Sequence, residues 1–520
     1  MKRTPLSLAL LAVLALGAQA HAQATKPADK RQAPAAAQKD PAFFAAVTGP
    51  LMDTPEAVRP DLQRFYALRG YERVWTKDAQ GAFARALADA QRHGLDARDF
   101  LDPQADLKDP VARELALTTA ALSYARALAL GRVDPTEMEG LWELKRNAVD
   151  APLGLDQALK TGDFGGWFAG LAPSDRGYTG LSTAYLHYLD LVARGGWPAF
   201  APGAPMKPGD TDARVPALVQ RLMIEGDLEQ PVEGEIYDTV LAEAVKKFQA
   251  RHGLAADGVI GRDTQTALAT TAQDRARQIA LNLERRRWLP RQLAPERIEV
   301  NTAAAIMVYW RDGQPVDARR VVVGTSKNQT PSLEKPFNSL VANPPWYVPA
   351  GIAAKEILPK GPEYLAKENM YVTADGRVIQ RAGPGAALGL VKFELQDSYA
   401  IYLHDTPSKS TFNLAKRHKS HGCVRVHDAI EFARLLLSVD PLAAQKFEEQ
   451  LASGETKRVE LSRSIPVRLL YWTAFVNGQG QVAFREDVYG RDMKLAQALG
   501  LDVKLPGASA EDAVADDVGP

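Results

Sequence analysis

The chain is poorest in cysteine, with one in 520 residues, Cys423. Without a second thiol it cannot close an internal disulfide. It also lacks an excess charge of either sign, since 63 Lys and Arg face 63 Asp and Glu. That balance excludes the broad basic field expected of a nucleic-acid binder or of a protein lying on anionic membranes. Long apolar runs are missing too. Leu6–Leu16 is too short to span a bilayer and Leu469–Val476 reads as a buried strand, so no stable transmembrane anchor is expected. No feature requires a cofactor.

What is present begins with an export pattern. Lys2 and Arg3 precede the apolar run, and Ala18-Gln19-Ala20 and Ala20-His21-Ala22 offer small-x-small cleavage points. Residues 1–22 are therefore expected to be a signal peptide, with the cut among Ala20, Ala22 and Ala24. A flexible tether rich in Ala, Lys, Gln and Pro follows over 23–45. No cysteine stands at the cleavage points after the apolar run, so no lipoprotein anchor is expected. The cell exterior is oxidising, and exported proteins generally use cysteines in pairs. A lone thiol there invites oxidation, so chemistry is the better reason for keeping one.

The remaining pattern is multidomain α+β. From 50 to 200 it is helical. Phe65–Tyr71 opens it, helix formers from Ala84 to His93 end at Gly94 as C-cap, and Leu117, Ala120, Ala121, Tyr124 and Leu128 make one long stripe. The aromatics here fill a core and carry no chemistry. Ala201–Gly209 is a linker by composition. Over 210–272, Val215, Leu218, Val219, Leu222 and Met223 mark one amphipathic helix, and Leu241, Ala244, Val245 and Phe248 a second. Asp257–Gly261 then turns into a third at Thr264. After Trp288-Leu289-Pro290 the period shortens. Ile298–Asn301, Ala305–Trp310, Ala318–Gly324, Gly389–Phe393, Tyr399–His404 and Arg468–Val476 read as strands of a mostly β domain over 296–495. A helical and loop-like insertion at about 350–390 interrupts it, and an acidic tail over 505–520 is expected to be disordered.

Cys423 sits in Ser420-His421-Gly422-Cys423-Val424-Arg425, and four of the eight histidines, His404, His418, His421 and His427, fall within 404–427. A thiol is mostly protonated near neutral pH, and an imidazole in reach takes its proton and stabilises the anion. His404 is the candidate base, on a strand or loop folded back on the cysteine. His421 is a candidate to orient the loop or to share charge with a thiolate. The amides of Gly422 and Cys423, with Tyr402 opposite, are a candidate oxyanion site, and Ser420 belongs to the same loop. Arg425 is a candidate carboxylate fork, with a strand salt bridge as its other reading. Trp346 lines either a pocket or a core. Two bland alternatives remain: a buried structural cysteine, and zinc on His418, His421, Cys423 and His427, for which His421 and Cys423 stand too close for good tetrahedral geometry.

The pattern His404-Asp405-Thr406-Pro407, a gap, and Ser420–Val426 resembles the catalytic signature of the L,D-transpeptidases, cell-wall enzymes that cross-link peptidoglycan. Asn343–Pro349, Ile357–Lys360, Leu388-Gly389 with Lys392-Phe393, Ile401–Pro407 and Phe484–Asp492 resemble their large Gram-negative subgroup, so the likeness covers about 55–495. It implies a scaffold domain at 50–200, a peptidoglycan-binding domain at 210–272, and a catalytic domain at 296–495 whose insertion caps the site. It also implies a periplasmic location, tetrapeptide stems as donor, a thioester on Cys423, release of D-alanine, 3-3 cross-links and inactivation by carbapenems. A glycan synthase or a carboxypeptidase is a candidate partner. Two rivals stay open: an L,D-carboxypeptidase or amide hydrolase on the same scaffold, and a non-catalytic peptidoglycan-binding adaptor.

Overall fold

A computed structural model describes residues 39–49, 54–102, 108–396 and 399–507. The expected signal peptide, most of the expected tether and the acidic tail from 508 onward lie outside the described residues.

Helices of the N-terminal part begin where the sequence supplies an acceptor for first-turn amides. Asp40, Thr76, Asp109, Asp150, Asp163 and Asp175 each cap one, and Pro41, Pro110 and Pro152 occupy first turns where a missing amide costs nothing. Pro41–Thr48, Arg59–Leu68, Lys77–Ala88, Pro110–Leu130, Ala151–Thr161, Phe164–Leu171 and Arg176–Ala193 close around Phe65, Tyr66, Leu122, Tyr124, Phe168 and Leu181. The first helix falls partly inside the segment read as tether. Its Phe43 and Val47 are fully buried, so packing begins ahead of residue 50.

Helices Val215–Ile224, Thr239–Arg251 and Arg262–Ala269 form the second unit around Leu218, Leu222, Leu241, Val245 and Phe248. Met206, within the expected linker, belongs to that core and bridges to Ile260. Helix Ala272–Arg287 then runs through the middle of the molecule. Ala276, Ile279 and Leu283 join the N-terminal core, while Arg285 pairs with Asp492 and Asn282 with Thr473.

From here the chain turns to strands. The helical part supplies β1 (Trp142–Glu143). The others are β2 (Arg297–Asn301), β3 (Ile306–Arg311), β4 (Gln314–Gly324), β5 (Ser332–Ala342), β6 (Trp346–Tyr347), β7 (Met370–Val372), β8 (Val378–Gln380), β9 (Val391–Leu395), β10 (Leu403–His404), β11 (His418–Ser420), β12 (Val424–Val426), β13 (Lys457–Leu470), β14 (Ala474–Val476) and β15 (Val482–Phe484). The main sheet runs β1-β5-β13-β2-β3-β4-β12-β10-β9, and β9 pairs again with β5, so the path closes on itself. Inside are Val300, Met307, Val321, Val323, Phe337, Phe393, Leu403, Val424 and Val426, packed with Phe432 and Leu436 of helix Ala429–Leu437. The insertion folds separately: β6, β8 and β7 form a small sheet over Trp346, Ile357, Met370, Val378 and Leu388.

Two expected strands are corrected. Leu469–Val476 is divided, because β13 ends at Leu470 and β14 starts at Ala474. Between them side chains replace the ladder: Trp472 N donates to Asn301 Oδ1 and Thr473 N to Asn282 Oδ1, both at 3.0 Å. The β14–β15 hairpin then delivers Ala474 and Phe484 to the helical core. Of Tyr399–His404 only Leu403–His404 is laddered, since Ala400 turns the chain with φ of 56°.

Candidate active site

β10 and β12 run parallel, with Leu403 beside Val424 and His404 beside Arg425. Val424 N donates to Tyr402 O at 3.1 Å, which extends the pairing back to Tyr402 and Cys423. Leu403 and Val424 point into the core. Alternation therefore sends Tyr402, His404, Cys423 and Arg425 to the opposite face together. β9 adds Lys392 beside His404, with Nζ 4.5 Å from the centre of the Tyr402 ring.

The cysteine loop is held by its own polar groups. Ser420 Oγ donates to Cys423 O at 2.6 Å and accepts from Gly422 N at 3.2 Å. Thr330 Oγ1 donates to Gly422 O at 2.8 Å. Both polar groups of Gly422 are thus engaged in the loop, and its φ of 123° is one that side-chain-bearing residues rarely adopt. Ser420 is fully buried as a loop staple, and Cys423 is 5% exposed with Sγ 3.5 Å from Ala400 O.

His404 is fully buried, and its Nδ1 lies 2.5 Å from the carbonyl of Asp405. A carbonyl only accepts, so Nδ1 carries the proton and Nε2 keeps its lone pair. Nε2 has no hydrogen-bond partner among the described residues. Burial, and then the charges of Arg425, Lys392 and Lys409, bring the imidazole pKa down to about 3. The ring is therefore neutral at any ordinary pH. Tyr402 is pushed well above its usual range by burial and by the adjacent Cys423, to which it hydrogen-bonds, so the phenol stays a donor.

The insertion touches this face in two places. His421 Nε2 lies 2.9 Å from Glu356 Oε1, and Tyr402 packs against the small core containing the fully buried Trp346. Arg425 is 1% exposed, and its charge helps to hold the His404 imidazole neutral. The other two histidines go elsewhere. His418 Nε2 meets Thr302 O at 2.9 Å and His427 faces Asp428 at 3.2 Å. No group of three or more His, Cys, Asp or Glu is placed to hold a metal ion among the described residues.

Sequence reasoning missed Glu356, Thr330 and the part played by Gly389. Gly389 has φ of 59°, and a Cβ there would stand 2.3 Å from Asp405 Oδ2. The Leu388-Gly389 pair was visible, but its distance in sequence from His404 hid the contact.

The depressed pKa of His404 gives a signed expectation for stability. The unfolded imidazole takes a proton near 6.5 and the folded one only near 3. Its contribution is complete above 6.5 and is lost as pH falls toward 3, by at most about 1.4 kcal/mol per pH unit. Urea midpoints followed from pH 7 to pH 4 are expected to fall, and to fall less steeply in a His404→Gln variant.

With this geometry established, comparison with known proteins adds three family matches. A model described as an L,D-transpeptidase catalytic domain matches residues 295–444, one described as a scaffold domain matches 60–185, and one described as a "Putative peptidoglycan binding domain" matches 211–268. A Haemophilus influenzae protein named "Putative L,D-transpeptidase" is 31% identical over 240 residues, 42% of this chain and 48% of that one. The chain thus spans about half the length of the curated relative it matches. Among solved structures, an L,D-transpeptidase from Stackebrandtia nassauensis is 14% identical, covering 52% of this chain and 96% of that one with a TM-score of 0.22. Residues 123–326 of an L,D-transpeptidase from Xylanimonas cellulosilytica are 20% identical, covering 52% and 100%, at 0.18. Superpositions that weak carry no weight. The family matches and the Haemophilus relative do: residues 295–444 belong to the L,D-transpeptidase catalytic-domain family, in one chain with a scaffold domain and a peptidoglycan-binding domain.

Proposed function

We propose that this protein is a periplasmic L,D-transpeptidase that forms 3-3 cross-links between peptidoglycan stems, with Cys423 as nucleophile. The observation that carries the reading is the shared outer face of β10 and β12, with Tyr402, His404 and Cys423 together on it. His404 Nε2 takes the thiol proton, and Sγ attacks the carbonyl joining the third and fourth residues of a tetrapeptide stem. The C–N bond breaks, and the proton passes to the departing D-alanine amine. A side-chain amine on the third residue of a second stem then attacks the thioester, loses a proton to His404, and releases the thiol. One amide is exchanged for another, so no ATP is consumed. Tyr402, with its hydroxyl kept protonated, and the Cys423 amide donate to the oxyanion of each tetrahedral intermediate.

The insertion, joined to the cysteine loop through Glu356 and His421, acts as a cap that limits water at the thioester. The peptidoglycan-binding domain supports the polymer as substrate. No helix among the described residues is long and apolar enough to cross a membrane.

The test uses purified tetrapeptide stems, and a carbapenem in parallel. A dimer with loss of D-alanine, and a single carbapenem adduct absent from Cys423→Ala, are expected by mass spectrometry. Tripeptide without dimer would transfer the assignment to the hydrolase. A folded protein that binds sacculi and forms no adduct would transfer it to the adaptor.

A further inference from the structure

The family matches place the scaffold domain at 60–185 and the catalytic domain at 295–444, yet one buried side chain of the first is linked to the cysteine loop of the second. Glu139 follows the short helix Pro135–Met138 and is 4% exposed. Its Oε2 accepts from Arg491 Nη1 at 2.5 Å and from the Ser332 hydroxyl. Arg491 lies beside the stacked rings of Tyr471 and Tyr489, 4.9 Å from each centre. Its other arm donates to Thr330 O and to Gln329 Oε1, each at 3.2 Å. Thr330 completes the path, for its hydroxyl donates to Gly422 O at 2.8 Å and accepts from Gly324 N at 2.9 Å. Tyr489 braces the same turn by donating to Gly324 O at 2.8 Å. The scaffold segment is also tied in by backbone, since β1 adds to the main sheet with Trp142 beside Ser332.

A buried ion pair is a poor device for stability alone, because apolar residues of equal volume serve as well. It is a good device for fixing orientation, because a guanidinium fork commits two donors to fixed directions. Here Glu139 holds one arm while the other reaches the carbonyl of Thr330, the residue whose hydroxyl donates to the carbonyl preceding Cys423. We propose that Glu139 is a positioning residue, through which the scaffold domain sets the cysteine loop by way of Arg491, Thr330 and Gly422. The inference rests on Cys423 being the nucleophile.

The test compares the full-length wild type with Glu139→Gln, Thr330→Val, the two combined, and Thr330→Ser, which keeps the hydroxyl. Three quantities are read: the saturating rate of carbapenem acylation with its half-saturating concentration, the rate of Cys423 alkylation by iodoacetamide, and the melting curve. Each of the two single changes is expected to lower the saturating rate about ten- to hundredfold at unchanged half-saturation. The double variant is expected to be no slower than the slower single, since both cut one path. Thr330→Ser is expected to act like wild type. A folded Glu139→Gln that acylates within about twofold of wild type overturns the proposal, and so do losses that multiply in the double variant. Should Glu139→Gln fail to fold, Arg491→Lys keeps the charge beside Glu139 but loses the second arm. It is expected to show the same loss, and a wild-type rate in it also overturns the proposal. If the wild type takes no carbapenem at all, the acyl-transfer reading fails separately. Alkylation still reports on the loop then, and equal rates in wild type and Glu139→Gln overturn the positioning role.

Discussion

His404→Gln is expected to slow acylation of Cys423 by about two to four powers of ten, the usual contribution of a positioned base. Glutamine keeps a donor for the Asp405 carbonyl but offers no basic nitrogen, so the site loses its proton acceptor and little else. The native ring is fully buried and neutral, so no charge is left uncompensated by the change. Acylation measured by intact mass, per folded molecule, checks this. His421→Gln is the comparison: its ring is committed to Glu356 at 2.9 Å, so its loss is expected to be the smaller of the two. The reverse order would make His421 the base and His404 a structural imidazole.

The position of His404 explains why part of this site is legible in sequence. A cysteine in a short motif and a histidine on a neighbouring run require only one strand pairing, and β10 and β12 provide it. Alternation does the rest, placing Tyr402, His404, Cys423 and Arg425 on one face. The fold class was legible for a similar reason. Helical period, a Pro- and Gly-rich linker and alternating runs are local signals, and the helical and β regions appear where those periods change.

What was not legible depends on long-range partners. In helix Ala272–Arg287 the stripe of Ala276, Ile279 and Leu283 marks one face as interior, but nothing local marks the charged and polar positions between, yet Arg285, Arg287, Asn282 and Glu284 are buried as well. Each is matched by a group far away in sequence, such as Asp492 for Arg285. The division of Leu469–Val476 has the same origin, since Asn282 and Asn301 take the amides that a ladder would have used. The scaffold strand β1 is two residues long, too short for periodicity to announce. Trp346, read as lining a pocket or a core, is fully buried in the small core of the insertion, behind Tyr402.

Gly389→Ala is the second large effect, and it links backbone conformation to chemistry. Gly313 and Gly389 both have positive φ, 73° and 59°. At Gly313, in the Asp312-Gly313 turn between β3 and β4, an added Cβ meets nothing within 4 Å. Alanine there is expected to cost only the left-handed backbone penalty, about 1–2 kcal/mol. At Gly389 the same penalty is joined by a Cβ 2.3 Å from Asp405 Oδ2, an oxygen that accepts from Leu390 N at 3.0 Å. Overpacking of that kind adds about 1–3 kcal/mol. Asp405 cannot retreat freely, because its carboxylate is paired with Lys409 and its carbonyl orients His404. The displacement is therefore passed to the imidazole, and acylation per folded molecule is expected to fall about ten- to hundredfold. Gly313→Ala is expected to leave that rate at the wild-type value while lowering the urea midpoint. Equal acylation rates in the two variants would mean that the site absorbs the movement of Asp405, and that His404 is oriented by something other than its carbonyl.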